Sequence, residues 1–169
     1  KGVAPVLDGV YIGSRLSAVV SPYGLGAGWD NADTSLIPEA NYYDRASAVR
    51  LGLNLVAYAV GYFRVGQSHA QAGIYGSEDA RENTDSLVFS QVRTNGVWNT
   101  EPGAAENLLR FMTRNLNIKA SYLIDTVELG RDDVNDRTFL YLSGITDFQL
   151  SGNERKALRQ YVLNGGYLL

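Results

Sequence analysis

Residues 138–169, TFLYLSGITDFQLSGNERKALRQYVLNGGYLL, decide the fold of this chain. The run TFLYLS is apolar almost throughout, which is typical of a central strand covered on both faces. The sequence SGNE at 151–154 is a capping box, in which the serine accepts from an amide of the first turn and the glutamate reaches back, so it predicts a helix. The sequence NGG at 164–166 supplies the left-handed residue that closes this helix. Residues 167–169 then begin another strand.

The preceding residues extend the same pattern. Residues 87–93, LVFSQVR, predict a strand that ends at Asn95 and Gly96. Pro102 suits the first turn of a helix that continues to about Asn117, and residues 120–129 predict the next strand. Residues 86–169 therefore predict a β-α-β-β-α-β piece of an α/β fold with an open, mostly parallel sheet and flanking helices. Because the last strand has only begun at residue 169, we expect the sheet to stop midway, with an unpaired edge that a partner could extend.

The first segment, residues 1–65, has a different character. Residues 15–21, RLSAVVS, predict a buried strand stopped by Pro22. A glycine-rich stretch follows and predicts a long loop, because its glycine spacing is neither the dinucleotide fingerprint nor a P-loop. Residues 43–63 predict a helix that is apolar on nearly every side, and such a helix is buried or covered by a partner. Residues 66–85 are polar, small and charged, so they predict a linker.

Composition excludes several classes of site. The chain has 169 residues, a net charge of -3, no cysteine and one histidine. A cysteine nucleophile, a thiolate metal site and a multi-histidine zinc site are therefore excluded within one chain, and we expect no metal and no cofactor. Lys and Arg are scattered, which gives no reason to expect nucleic-acid binding. No apolar run is long enough to predict a membrane span, and no signal peptide is visible. Because the chain begins at Lys1, we interpret it as a processed or excised segment.

Two long stretches carry a family resemblance. Residues 88–112, VFSQVRTNGVWNTEPGAAENLLRFM, and residues 139–169 resemble the start of the bacterial domain-of-unknown-function family 4159. The resemblance implies a flavodoxin-like or class I glutamine-amidotransferase-like α/β fold. Residues 15–30, RLSAVVSPYGLGAGWD, and residues 42–60 resemble the far end of the same family. A tail-like segment therefore precedes a head-like segment, which fits a cut from a tandem array, a permutation, or domains completed by neighbouring chains.

The resemblance does not carry glutaminase activity with it. Family members commonly have histidine after the glycine that ends the central strand, whereas Ile145 follows Gly144 here. A glutaminase also needs a nucleophilic cysteine activated by histidine, and the chain has no cysteine. We therefore favour a pseudoenzyme without catalytic residues. The bacterial resemblance leaves the compartment open, with an extracytoplasmic location favoured.

Ligands of open parallel sheets bind beyond the carboxyl ends of the strands. That rule selects candidate ligand-binding residues after each predicted strand and in the glycine-rich loop: Tyr23, Trp29, Asp30, Arg93, Trp98, Gly144, Thr146 and Asp147. Some have simpler interpretations. Either tryptophan can be an exposed contact or a packed side chain, packing being commoner, and Asp147 can belong to a turn before the capped helix.

Three functional hypotheses follow from the sequence. The first is a non-catalytic binding or assembly module that self-associates, or whose sheet is completed after Leu169 by a neighbouring domain. The second is a hydrolase or sugar-processing enzyme that uses Asp30 and Asp147 as a carboxylate pair. The third is a carbohydrate- or cell-surface-binding module, based on the loop aromatics Tyr23, Trp29, Tyr42 and Tyr43.

Overall fold

The computed structural model describes residues 6–31, 41–70, 87–116 and 120–169. Its elements, in chain order, are β1 (Asp8–Ile12), β2 (Arg15–Val20), α1 (Gly26–Asp30), α2 (Arg45–Ala70), β3 (Leu87–Val92), α3 (Ala104–Leu116), β4 (Ala120–Val127), β5 (Leu140–Tyr141) and α4 (Gly152–Leu163). The predicted mixed α/β class is confirmed. From residue 87 onward the elements follow in the order β3-α3-β4-β5-α4, and residues 167–169 come after α4.

The strands form one continuous sheet. Strand β3 pairs in parallel with β4 on one side and with β5 on the other. Residues 167–169, called the C-terminal segment below, lie next to β5, where the Leu140 amide donates to the Tyr167 carbonyl at 2.9 Å. On its other side the Val19 amide of β2 donates to the Leu168 carbonyl at 2.9 Å. Strand β1 pairs antiparallel with β2, so the spatial order is β4-β3-β5-C-terminal segment-β2-β1.

This order corrects the expectation of an unpaired edge beside Leu169. Residue 168 is bridged in parallel to Leu140 on one side and to Ala18 on the other. The next position in the sheet is therefore filled by β2 of the same chain. The expectation was wrong because strand pairing across about 150 residues leaves no local signal in either segment.

Helices cover the two faces of the sheet unequally. Helices α1, α2 and α3 lie on one face, called the α2 face, around the buried side chains of Trp29, Phe89 and Leu108. Helix α4 lies on the opposite face, called the α4 face, where Tyr161 packs with Val92 and Leu140. Alternation along the strands divides their side chains between these two cores, as a sheet between helices requires.

The predicted ends of α4 are confirmed. The Ser151 hydroxyl accepts from the Glu154 amide at 3.3 Å, and the Ser151 amide donates to Glu154 Oε2 at 2.7 Å. The helix ends at Leu163, and Gly165 takes the left-handed conformation with φ of 100°. The capping box and the closing glycine therefore set the entry into the C-terminal segment.

The first segment differs from its prediction in two places. The glycine-rich loop contains α1, which packs closely on α2: a Cβ on Gly28 would overlap the Cβ of Ala48. Helix α2 continues to Ala70, so residues 66–70 of the predicted linker are helical. The rest of that linker, residues 71–85, lies outside the described part of the chain. The predicted strand over 138–143 is also shorter, because only Leu140–Tyr141 makes ladder hydrogen bonds to β3.

Helix α2 combines a core-facing side with an exposed side. Ala48, Leu55 and Val56 are buried in the core of the α2 face. The stretch Arg45–Phe63 has a mean hydropathy of 1.2 and is long and apolar enough, by length and composition alone, to cross a membrane, although 28% of it is buried within the protein. The expectation that the chain has no apolar stretch of that length is therefore corrected. A core helix of a globular protein also has one apolar side buried, as α2 does.

Candidate ligand-binding site at the carboxyl edge of the sheet

The strand order defines where a ligand would bind. From β3 the chain first adds β4 on one side and then crosses to add β5 on the other side. In open α/β sheets the point where the order reverses leaves a crevice at the carboxyl ends of the strands, and ligands bind there. The loops that follow β3 and β5 therefore frame the candidate site.

These two loops are joined by hydrogen bonds. The Trp98 carbonyl accepts from Gln91 Nε2 at 3.2 Å and from the Ser143 hydroxyl at 2.9 Å. The Val97 amide donates to the Thr146 hydroxyl at 3.2 Å. Four of the candidate residues are thereby brought into one pair of loops: Trp98, Gly144, Thr146 and Asp147.

A cleft of about 480 Å³ opens beside these loops, between the ends of β3 and β4 and the start of α4. Arg93, another candidate residue, lies in its wall. The cleft is lined mainly by charged and polar side chains: Arg93, Thr94, Asn95, Glu128, Leu129, Gly130, Arg131, Ser151, Asn153 and Glu154. Gly130 has a φ of 80° and lies against the first turn of α4, so its backbone conformation favours glycine.

The charges in the cleft are balanced. Glu128 forms ion pairs with Arg93 at 3.4 Å and with Arg131 at 2.6 Å. Hydrogen bonds from the hydroxyl and amide of Ser151 hold the pKa of the Glu154 carboxyl below its usual value, so this group is anionic at neutral pH. Two guanidinium groups thus lie among two carboxylates. The cleft offers hydrogen-bond donors and acceptors without a strong net field.

A second polar group lies on the α2 face of the same edge. Tyr141 is buried, and this burial raises the pKa of its phenol to about 12. A hydrogen bond with Ser143 lowers the same pKa, but its effect is smaller than that of burial. The Tyr141 hydroxyl and Glu101 Oε2 both approach Gly26, at 3.1 Å and 3.0 Å from the position of an added Cβ. The Glu101 carboxylate accepts from the Thr100 hydroxyl. This Tyr141–Glu101 group brings the first segment into contact with the carboxyl edge, and its phenol stays neutral at physiological pH.

Three candidate residues lie elsewhere. Trp29 is only 1% exposed, and its indole Nε1 donates to the Ala48 carbonyl at 2.8 Å, so it is a core residue and cannot contact a ligand in this structure. The Tyr23 ring packs edge-on against Tyr43 at 5.6 Å. Asp30 accepts from Asn107 Nδ2 at 3.4 Å, beside the start of α3. The glycine-rich loop therefore contributes packing rather than residues of the cleft.

Sequence reasoning missed the residues after β4. Glu128, Arg131 and Asn153 line the cleft, but residues 128–136 have the composition of a solvated acidic turn. In the structure these residues form a turn, in which Asp132 accepts from the Glu128 amide at 2.7 Å and Asp133 accepts from the Asn135 amide at 3.0 Å. The sequence has no local signal for this cleft, because the end of β4 and the start of α4 become neighbours only in the folded protein. Among the described residues, no group of three or more His, Asp or Glu side chains is arranged to hold a metal ion.

The comparison with protein families concerns the same part of the molecule. Residues 88–169 match the family model of a domain of unknown function, DUF4159. No curated protein and no solved structure matches the chain. The matched segment includes β3 from its second residue, α3, β4, β5, α4 and the C-terminal segment, whereas β1, β2, α1 and α2 precede it. The switch-point loops and every residue lining the cleft thus lie in a segment that matches DUF4159, a domain of unknown function.

Proposed function

We propose that this chain is a non-catalytic binding module that holds a small polar molecule in the cleft at the carboxyl edge of its sheet. The observation that carries the proposal is the position of the cleft, next to the switch point of a doubly wound sheet, where such folds bind ligands. Its lining supports a ligand that both donates and accepts hydrogen bonds.

The hydrogen bonds of the edge support a binding role over a catalytic one. A hydroxyl nucleophile needs a base within hydrogen-bond reach to remove its proton. The Ser143 hydroxyl instead donates to the Trp98 carbonyl, and the Ser151 hydroxyl caps α4. The carboxylate-pair alternative gains no support, because Asp30 contacts α3 while Asp147 lies beside Gly96.

The charge balance of the cleft supports a zwitterionic or polyhydroxyl ligand. Arg93 and Arg131 already share Glu128, so a simple anion would have to displace an existing ion pair. A zwitterion can keep this balance, placing its anionic group near a guanidinium and its cationic group near a carboxylate. The carbohydrate alternative rested on four loop aromatics, of which Trp29 and Tyr43 are buried while Tyr42 is 39% exposed. A polyhydroxyl ligand in the cleft itself remains within the proposal.

Titration followed by amide chemical shifts tests the proposal. Serine serves as the zwitterionic probe, glucose as the polyhydroxyl probe and inorganic phosphate as the anionic probe. We expect serine or glucose to shift the amides of Asn95, Gly130 and Asn153, and phosphate to shift them less. Arg93→Ala should weaken this binding.

The matched control is Arg110→Ala. Arg110 is an exposed arginine on α3 that forms an ion pair with Glu106, and it does not line the cleft. Binding that is equally weakened by both substitutions, or shifts that map away from the cleft, would contradict the proposal. The absence of any shift with serine and glucose at high millimolar concentration would contradict it as well.

We also infer that the tail-before-head order reflects a permuted flavodoxin-like or amidotransferase-like domain. Support comes from the sheet order, in which β2 occupies the fifth place of the order 2-1-3-4-5 found in flavodoxin-like folds. Further support comes from Arg15, whose guanidinium donates to the Val162 and Gly166 carbonyls at 2.6 Å and 2.9 Å. A protease site inserted among residues 71–86 tests this inference. After cleavage we expect the two pieces to elute together, and separation under native conditions would contradict it.

A further inference from the structure

The α4 face of the sheet is only partly covered. Helix α4 packs over β3, β5 and the C-terminal segment, but the β1–β2 hairpin next to it exposes apolar side chains on the same face. Val10 is 51% exposed, Ile12 36% and Val20 55%, and Leu163 at the end of α4 is 50% exposed. These four residues are called the hairpin groove below. Sheets of this class normally carry helices on both faces, whereas none of the helices in the described part of the chain covers the groove.

Strand register places the hairpin residues on one face. Val10 pairs with Ala18, which is bridged to Leu168, and Leu168 packs into the core under α4. Ile12 pairs with Arg15, whose side chain reaches the carbonyl groups at the end of α4. Directly paired residues project from the same side of a sheet. Val10 and Ile12 therefore project towards the α4 face, and Val20 follows Ala18 by two residues on the same side. Asp8, which pairs with Val20, projects towards this face as well, from the outer strand β1 on the side away from α4.

The dimensions of the groove suit one helix. Two adjacent strands span about 10 Å across the sheet, since neighbouring strands are roughly 4.8 Å apart. An α-helix with its side chains has a diameter of about 10–12 Å. A helix lying beside α4 at the usual interaxial distance of about 8–10 Å would therefore cover both β2 and β1.

The rim of the groove is basic. Arg155, Arg159 and Leu163 follow one another at four-residue spacing along α4, so they form one row on the helix surface. Asn153 and Asn164 lie on the opposite flank of α4, where they contact Gly130 and Asn135 after β4, so this row faces the hairpin. Both arginines are exposed, and the Glu154 carboxylate at the start of α4 is used by the helix cap.

We propose that the hairpin groove is a docking site for an acidic amphipathic helix of a partner protein. The apolar side of that helix would cover Val10, Ile12 and Val20, and its acidic side would face Arg155 and Arg159. Charge complementarity selects this occupant. The site is separate from the cleft, so it stands whether or not the cleft binds a ligand.

A second copy of the chain fits the groove less well. Residues 45–70, which form the long helix α2, contain three arginines and no acidic residue. Docking α2 against Arg155 and Arg159 would bring like charges together, which disfavours the contact. A two-fold contact between two α4 helices would oppose the same arginine rows for the same reason.

Synthetic peptides provide the test. The probe is a helical peptide of about five turns, roughly 18 residues, with a leucine stripe and glutamates on one flank, carrying a fluorescent label. One control peptide has lysine in place of glutamate, and another has the acidic sequence scrambled. In fluorescence anisotropy we expect the acidic peptide to bind at least about tenfold more tightly than either control, and amide shifts should map to Val10, Ile12, Val20 and Leu163.

Variants of the chain sharpen the test. Val20→Lys should abolish binding, and Val20→Thr should weaken it if the lysine variant fails to fold. The double variant Arg155→Glu with Arg159→Glu should reverse the preference so that the lysine peptide binds better. Arg110→Glu, on the exposed surface of α3, is the matched control and should leave binding unchanged.

Several outcomes would overturn the proposal. Equal binding of the scrambled peptide, or binding that Arg155→Glu with Arg159→Glu does not change, would show that charge does not select the occupant. Dimerisation of the free chain in sedimentation experiments that Val20→Lys abolishes would identify a second copy as the occupant. Cosedimentation with phosphatidylglycerol vesicles that is lost in the double variant would identify a bilayer instead.

Discussion

The hydroxyl groups of Tyr161 and Tyr167 give the sharpest test of how this core is held together. Tyr161 is buried in the core of the α4 face and Tyr167 in the core of the α2 face. The Tyr161 hydroxyl accepts from the Tyr167 amide at 3.2 Å and lies 3.2 Å from the Arg137 and Tyr167 carbonyls, to which it can donate. The Tyr167 hydroxyl has no hydrogen-bond partner among the described residues, and Tyr167 is only 3% exposed. Substitution by phenylalanine removes each hydroxyl while keeping the ring.

The two substitutions should change the free energy of unfolding in opposite directions. A buried polar group without a partner costs roughly 1–3 kcal/mol of desolvation. Tyr167→Phe removes that penalty, so we expect it to raise stability by about 1 kcal/mol, or the melting temperature by roughly 2–4 °C. Tyr161→Phe leaves the Tyr167 amide and a carbonyl unpaired inside the protein, so we expect a loss of about 1–3 kcal/mol.

Urea and thermal unfolding followed by circular dichroism measure both changes, with the denaturant slope confirming that each variant unfolds like the parent chain. The reasoning fails if Tyr167→Phe loses as much stability as Tyr161→Phe. It also fails if Tyr161→Phe is neutral, because the hydrogen bonds at its hydroxyl would then contribute nothing.

Three further predictions follow from the packing and the caps. Gly28→Ala should destabilise the chain by roughly 1–3 kcal/mol, since its methyl group would overlap Ala48. The control Gly61→Ala, at a helix position with open space, should stabilise the chain by up to about 1 kcal/mol. Thermal melts compare the two variants. Ser151→Ala should lower the free energy of unfolding by about 1 kcal/mol through loss of the α4 cap, measured by urea unfolding, and an unchanged midpoint would count against the cap. Burial raises the pKa of Tyr141 from 10.0 to about 12. The stability that the buried neutral phenol contributes should therefore be complete below pH 10 and should be lost as the pH rises through about 12. The free energy of unfolding of Tyr141→Phe at alkaline pH should depend less steeply on pH than that of the parent chain.

Local signals in the sequence were sufficient for much of the second segment. The capping box at Ser151 and the glycine at Gly165 set both ends of α4, because their hydrogen bonds and backbone angles depend on a few adjacent residues. The alternation of Phe89 and Val92 between two cores follows from the same short-range geometry. Arg93, at the end of β3, was correctly placed at the carboxyl edge by the strand rule.

Other features depend on contacts that no local pattern encodes. Helix α1 was taken for loop because glycine usually marks loops, whereas Gly28 is there to let α1 approach α2 closely. Trp29 could not be assigned to packing or binding until α2 was in place beside it. Strand β1 was missed because all five of its residues are exposed, so it has no apolar side buried in the core to signal a strand.

The pairing of β2 with the C-terminal segment also has a consequence for how the chain folds. The contact between Ala18 and Leu168 closes a loop of nearly the whole chain, and the entropy lost in closing a loop grows with its length. Strands β3 and β4, joined through α3, have far shorter loops to close. We therefore expect the transition state to contain β3, α3 and β4 while β2 is still undocked, so that substitutions in β2 accelerate unfolding and leave the folding rate nearly unchanged.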